Sequence, residues 1–365
     1  MTVEFGTASA SPGERARGYW DATTLPTGTP ERLPVVVVNG SEAGPTAWLT
    51  AGVHGDEVTG VAAAQDACAA LDPDSLVGCV VCLPCVNPAG LRQTERTSYY
   101  HGDDPNRHFP DPASDSSRPP RVQERIAWRL YEAFVGKGEA PRADLLVDLH
   151  TAQVGSMPFT IRDRVLYGSQ RDEEAAHALA DDLERLADAI TLPVVTEFEA
   201  VEYTERNLQR SLAGSALNAA GIPACTVELG SRSVVEEGNR AAGVAGVCRA
   251  LVAFEMLESV PEKVETAAPD VEAPVDYPVR RYVGPHAETV GIARHRVAAG
   301  DVVESGTVVA DVVAPTGEHR ASVTVDREGY VLARQGGVAV YENDPLASLA
   351  VRDEGELVVS RSGRE

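Results

Sequence analysis

Apolar and polar positions follow two rhythms along this chain, and the rhythms predict its elements. Short apolar or β-branched runs at 33–38, 47–51, 79–83, 144–149, 194–198 and 224–229 read as strands. Between them, 57–71, 121–135, 172–190, 208–220 and 235–257 read as helices. In the second of these, Val122, Ile126, Leu130 and Phe134 recur every four residues, which is one face of a helix. Strands alternating with helices predict an α/β domain on a mainly parallel or mixed sheet. A loop rich in Gly, Pro, Asp and Arg occupies 87–120.

The rhythm then changes. Residues 258–278 hold four prolines and many acids with little periodicity, and they read as a linker. Beyond it come short β-branched runs at 301–309, 321–325, 328–332 and 337–341, split by Gly and Asp turns. They predict a small all-β module of sandwich or barrel type. The expected division is a catalytic α/β domain at 1–257, the linker, and a β domain at 279–365 with a short polar tail. The module resembles the barrel-sandwich fold of biotinyl and lipoyl domains. No lysine follows Lys263, so a carrier role through an attached group is excluded.

Composition narrows the function. The 365 residues are 43% hydrophobic, enough for a core, and no apolar stretch of about 18 residues predicts a membrane span. The first residues lack the basic start and apolar run of a secretory signal. Net charge is −23, and 30 of the 32 basic residues are arginine; the two lysines are Lys137 and Lys263. Nucleic acid is disfavoured as a partner, because phosphate backbones need a basic face. A carboxylate-rich, lysine-poor surface suits concentrated salt, where ions screen self-repulsion. A halophilic host is the expectation, and GC-rich coding is the other source of an arginine bias. Cys79, Cys82 and Cys85 have metal-like spacing, but they sit in a strand-like run whose side chains alternate between faces. With Cys68, Cys225 and Cys248 they read as small buried thiols in a reducing cytoplasm.

The chemistry lies at strand ends. His54 and Glu57 follow the run 47–51, and His150 follows 144–149. Two histidines and one carboxylate complete a catalytic Zn²⁺ ligand set and leave one position open. Asp148, two residues before His150, shares its strand face and either touches the site or caps the sheet. His101 and His108 read as loop residues; His286, His295 and His319 read as surface residues of the β module.

The segments A-G-V-H-G-D-E, V-N-P-A-G, R-T-S-Y-Y-H-G-D-D-P-N-R-H-F-P, D-L-H-T and T-V-E-L-G occur in that order over about residues 45–255. Together they resemble the succinylglutamate desuccinylase/aspartoacylase family of the zinc carboxypeptidase superfamily. The β module is similar to that family's small second domain. The resemblance implies a zinc-carboxypeptidase-like mixed sheet flanked by helices, and one Zn²⁺ on His54, Glu57 and His150. It also implies Glu228 as general base, Arg96 beside the developing oxyanion, and Asn106 and Arg107 on a substrate carboxylate. Asp104 would fix the tautomer of a ligating histidine. Pro105 departs from the apolar residue usual there and restricts Asp104 to extended conformations.

The expected function is removal of an N-acyl group from a small, carboxylate-bearing amine in the cytoplasm. A zinc carboxypeptidase acting on short peptides, and a metal-binding relic without turnover, are the alternatives. The acyl group, the amine, the oligomeric state and any substrate contact by Arg92, Arg210 or Arg232 are left open.

Overall fold

A computed structural model describes residues 1–111, 120–138, 140–336 and 338–361. Residues 112–119 of the expected loop, Gly337 of the expected strand 337–341, and residues 362–365 of the expected tail lie outside them.

The apolar runs assemble, among the described residues, into one twelve-stranded mixed sheet. The first eight strands are β1 (Glu14–Thr24), β2 (Pro30–Asn39), β3 (Glu42–Ala51), β4 (Val77–Leu83), β5 (Leu145–Ala152), β6 (Pro158–Arg162), β7 (Val194–Thr196) and β8 (Ala224–Ser231). The last four are β9 (Val279–Val283), β10 (Val302–Val303), β11 (Gly329–Arg334) and β12 (Ala347–Arg352). Their spatial order is β10-β11-β12-β9-β7-β6-β8-β5-β3-β4-β2-β1. At the centre, β4, β3, β5 and β8 run parallel. β6 is antiparallel to β8 and parallel to β7. The central strands are buried along nearly their whole length, as strands covered on both faces must be.

Among the described residues, the four longest helices on the sheet are α1 (Val58–Ala70), α2 (Val122–Phe134), α3 (Glu173–Ala189) and α4 (Glu237–Ala253), and the shorter buried helix Leu212–Asn218 packs with them. α2 and α3 bury one apolar stripe each, Ile126/Leu130/Phe134 and Leu179/Leu183/Leu186. α1 buries small residues instead: Thr59, Gly60, Ala63, Ala64, Ala67 and Cys68. A Cβ on Gly60 would come within 2.6 Å of the Leu149 carbonyl oxygen. α1 therefore lies directly against the end of β5, and this closeness brings its cap residue Glu57 to His150.

β9, β12, β11 and β10 continue the sheet in antiparallel fashion, and Gly291–His295, Val308–Val313, His319–Thr324 and Ala339–Val340 form a second sheet. The expected run 301–309 divides at a turn where Gly306 adopts φ +93°. The expected boundary at 279 falls where β9 joins β7, with Thr196 level with Arg280.

Three segments depart from expectation. Strands Val3–Phe5, Ala8–Ala10 and β1 precede the first expected one, because β1 is an edge strand whose exposed charges dilute its apolar pattern. A short helix, Glu262–Ala267, lies inside the expected linker. The expected polar tail contributes strand Val358–Ser360, which pairs in parallel with Val165–Tyr167 and buries Val358. The six cysteines are free and buried. Among the described residues, no helix is long and apolar enough to cross a membrane.

Candidate metal centre and active site

The turn after β3 carries His54 and ends at Glu57, the N-cap of α1. It needs glycine twice. Gly52 adopts φ +62°, and a Cβ on Gly55 would lie 2.0 Å from the Gly90 carbonyl carbon. The facing turn is the N-P-A-G segment. Asn87 accepts from Gly90 N through Oδ1 (2.9 Å) and donates Nδ2 to the Val53 carbonyl (3.2 Å), which locks the two turns together.

His54, Glu57 and His150 are all buried, and one ligand atom from each lies within 4.8 Å of the others. His54 Nδ1 meets Glu57 Oε1 at 2.6 Å, and His150 Nδ1 meets Glu57 Oε2 at 2.7 Å. The outer nitrogens each rest on a carboxylate: His54 Nε2 on Asp104 Oδ1 (3.0 Å), His150 Nε2 on Asp148 Oδ2 (2.7 Å). Asp148 is held in turn by the Thr50 hydroxyl (2.7 Å). Asp148 therefore touches the site rather than merely capping the sheet. Nitrogen and oxygen donors converging inward, with carboxylates orienting the imidazoles from outside, fit a dication such as Zn²⁺.

The charges agree with that fit. Burial alone would raise Glu57, but the two imidazoles overcome it and hold Glu57 well below the usual carboxylate range. Burial opposes a charge on His150, yet Asp148 and Glu57 push its pKa well above the ordinary value. Asp104 is also held far below the usual range: burial opposes this, and the His54 hydrogen bond and Arg96 prevail.

β8 pairs with β5 so that Glu228 stands level with His150. Its Oε2 is buried without a hydrogen-bond partner among the described residues. Burial and the Glu57 charge raise the Glu228 carboxyl to about 7. Arg96 bridges the ligand set, donating to Glu57 Oε1 (3.1 Å) and Asp104 Oδ2 (3.0 Å). Asp104 caps the short turn Pro105–Arg107 by accepting from Asn106 N (2.9 Å). Pro105 occupies the first position of that turn, where its fixed φ is favourable and its missing N–H costs nothing. The unusual proline therefore suits the local geometry. Asn106 Oδ1 accepts from Leu212 N (2.7 Å), and Arg107 Nη1 donates to the Asn106 carbonyl (2.7 Å).

His54, Glu57, Arg96, Asn106, Arg107, His150 and Glu228 line one narrow cavity of ≈ 100 Å³. Three open candidates lie elsewhere. Arg92 pairs with buried Glu31 (2.9 Å), Arg210 donates to the Phe109 carbonyl (3.4 Å), and Arg232 faces Asp56 (3.9 Å). The cavity also contains Asp163, Glu197 and Arg281, which sequence reasoning missed. Asp163 and Glu197 each follow a strand directly, whereas Glu228 lies within β8. Arg281, in the middle of β9, had no sequence signal.

Residues 43–253 match the family model described as the succinylglutamate desuccinylase/aspartoacylase catalytic domain. The N-alpha-acetyl-L-2,4-diaminobutyric acid deacetylase of Halomonas elongata is 29% identical over 87% of this chain and 85% of its own length. Among solved structures, a succinylglutamate desuccinylase/aspartoacylase from Rhodobacter sphaeroides superposes with TM-score 0.71 at 24% identity, covering 93% of this chain and 96% of that one. The product-bound ectoine utilization protein EutE (DoeB) from Ruegeria pomeroyi gives TM-score 0.70 at 21% identity, over 93% of this chain and 95% of its own.

Proposed function

The chain belongs to the succinylglutamate desuccinylase/aspartoacylase family, and on that premise we propose that it is a zinc-dependent hydrolase that deacylates N-acyl amino acids. The observation that carries the proposal is the placement of Glu228, buried and level with His150, beside a convergent His-Glu-His donor set.

His54, Glu57 and His150 would hold the ion, which when bound polarises the amide carbonyl and acidifies a water. Glu228 is the base: a carboxyl raised to about 7 takes the water's proton and passes it to the departing amine. Arg96, anchored by Asp104, presents a fixed positive charge to the oxygen that becomes anionic. Arg107 orients the substrate through its carboxylate, and Asn106 holds the turn that carries it. Asp104 and Asp148 fix the histidine tautomers.

The relative from Halomonas elongata is named for deacetylating an α-N-acetylated amino acid, which supports this substrate class. The narrow cavity, of ≈ 100 Å³ and lined in part by Arg281 from β9, favours a small acyl amino acid over a peptide. A relic that only binds metal has no use for Glu228 or Arg96. The free, buried thiols support a cytoplasmic enzyme.

The test is a panel of N-acetyl and N-succinyl amino acids set beside dipeptides. The wild type is expected to release free amine from acyl amino acids, to stop after chelation and to recover with Zn²⁺. Faster cleavage of dipeptides, or activity indifferent to chelation, would refute the reading.

A further inference from the structure

The C-terminal strand reaches back to the loop that carries Arg107. After β12 the chain leaves the β module and forms strand Val358–Ser360, which pairs in parallel with Val165–Tyr167. Arg164 anchors its approach from inside the protein. This residue is 1% exposed; its Nη1 donates to the Glu356 carbonyl (2.7 Å) and its Nη2 to Asp353 Oδ2 (3.1 Å). Val165 N donates to the Leu357 carbonyl (3.0 Å) and Arg361 N to the Tyr167 carbonyl (3.0 Å), so the backbone is fixed up to Arg361.

There Arg361 donates Nη1 and Nη2 to Asp111 Oδ1 (2.8 and 2.7 Å). The Asp111 side chain is 5% exposed and that of Arg361 17%, so the pair is shielded from water. A charge-assisted bond in such a place holds its geometry better than an exposed ion pair. Asp111 Oδ2 accepts from Gln209 Nε2 (3.3 Å).

Asp111 ends a segment that starts at the Asn106–Arg107 turn and is tied along its length to 208–215. Asn106 Oδ1 accepts from Leu212 N (2.7 Å), Phe109 N donates to the Arg210 carbonyl (3.1 Å), and the Pro110 carbonyl accepts from the Ser215 hydroxyl (2.6 Å). The tie at Asp111 is the one braced by the C-terminal strand. Arg107 itself donates Nη1 to the Asn106 carbonyl (2.7 Å), so its aim follows this backbone. A guanidinium that takes a carboxylate through two parallel bonds tolerates little error in its placement.

We infer that Arg361 is a positioning residue for substrate binding: through Asp111 it fixes the backbone that aims Arg107. The C-terminal strand is then a working part of the substrate site. This rests on the deacylase reading, in which Arg107 takes the substrate carboxylate. Arg361 does not line the cavity and acts at one remove from it.

The experiment measures kcat and KM on the best N-acyl amino acid of the panel and on its carboxamide, which lacks the carboxylate. Wild type, Arg361→Ala, Arg361→Lys, Arg107→Ala and the Arg107→Ala/Arg361→Ala double variant are compared, all loaded with Zn²⁺. Arg361→Ala should raise KM for the acid about tenfold and leave kcat within about threefold, the pattern of binding lost equally from ground and transition states. Arg361→Lys keeps the cation and should restore most of the loss. KM for the carboxamide should not move. Arg361→Ala should add little to Arg107→Ala, because both act on one interaction. Arg361→Gln, close in shape and uncharged, repeats the test if Arg361→Ala unfolds. Hydrogen exchange gives a readout without turnover: the Phe109 and Leu212 amides should exchange about tenfold faster in Arg361→Ala. An unchanged KM, or a rise equal for acid and carboxamide, would overturn the inference and leave the deacylase reading standing. If wild type hydrolyses no member of the panel, the deacylase reading falls and exchange decides the rest. Faster exchange would uphold Arg361 as the brace of the Arg107 turn, and unchanged exchange would overturn it.

Discussion

Carboxylates gather at and beside one cavity, and the fold treats them in opposite ways. At the near end, Glu57 and Asp104 are held well below the usual carboxylate range by imidazoles and Arg96. At the far end, Asp163 is pushed up to about 8 by burial and by Glu197. The Glu228 carboxyl, level with His150, is raised to about 7. Both ends lie at the carboxyl ends of sheet strands, so position alone does not set the difference. The near end has donors that converge on one point, as a metal requires; the far end pairs Glu197 with Arg281 and holds the Asp163 carboxyl where burial disfavours its charge. Clusters of acids in one pocket thus serve different purposes, and the partners around each carboxylate reveal which.

The comparison can be broken most severely at the near end. His150→Ala should abolish metal binding and reduce hydrolysis to background, read by metal content and amine release; a metal-replete, active variant would refute the ligand set. Next, Glu228→Gln should keep the metal and lower kcat by about 10²–10⁴-fold, the usual range for a lost general base. The wild-type kcat/KM should rise with pH as Glu228 loses its proton. A bound dication favours the ionised carboxylate, so this acid limb should lie below about 7 and be absent in the variant.

Asp148→Asn should act through His150 alone, weakening metal affinity by about 10–100-fold, measured by competition with a chelator. Unchanged affinity would mean that Asp148 serves only the sheet.

The far end responds in stability. The Asp163 pKa is higher folded than unfolded, so the folded state binds more protons between about pH 4 and pH 8. Stability contributed by the protonated form is therefore lost as pH rises through that window. Asp163→Asn should gain on wild type in thermal unfolding as pH rises, and a gap that does not widen would contradict the assignment. Arg92→Gln should have the smallest effect on turnover, within about threefold. It should instead cost on the order of 1 kcal/mol in unfolding by removing the charged partner of buried Glu31, which among the described residues keeps only the Tyr100 hydroxyl.

The metal ligands were legible in the sequence because they sit at strand ends with their own chemistry, whereas Arg96, Asp104, Asn106, Arg107 and Glu228 entered through the family's motifs. His54 and Glu57 share one strand-to-helix turn, and Asp104, Asn106 and Arg107 share one short loop turn. The far end was not legible. Asp163 and Glu197 meet only because β6 and β7 pair, and Arg281 reaches them only because β9 joins the same sheet. Those pairings join residues far apart in the chain, and a single sequence carries no local sign of them. The strand at Val358–Ser360 was hidden for the same reason, since its partner is Val165–Tyr167. The α/β alternation, by contrast, was plain from runs such as 79–83 and 121–135.

The most direct test of the central claim is calorimetric titration of Zn²⁺ into metal-free wild type and into His150→Ala. A near end organised around a dication should bind about one Zn²⁺ per chain, release protons as His150 gives up its own, and unfold at a higher temperature when loaded. Substoichiometric binding, or binding that survives His150→Ala unchanged, would contradict it.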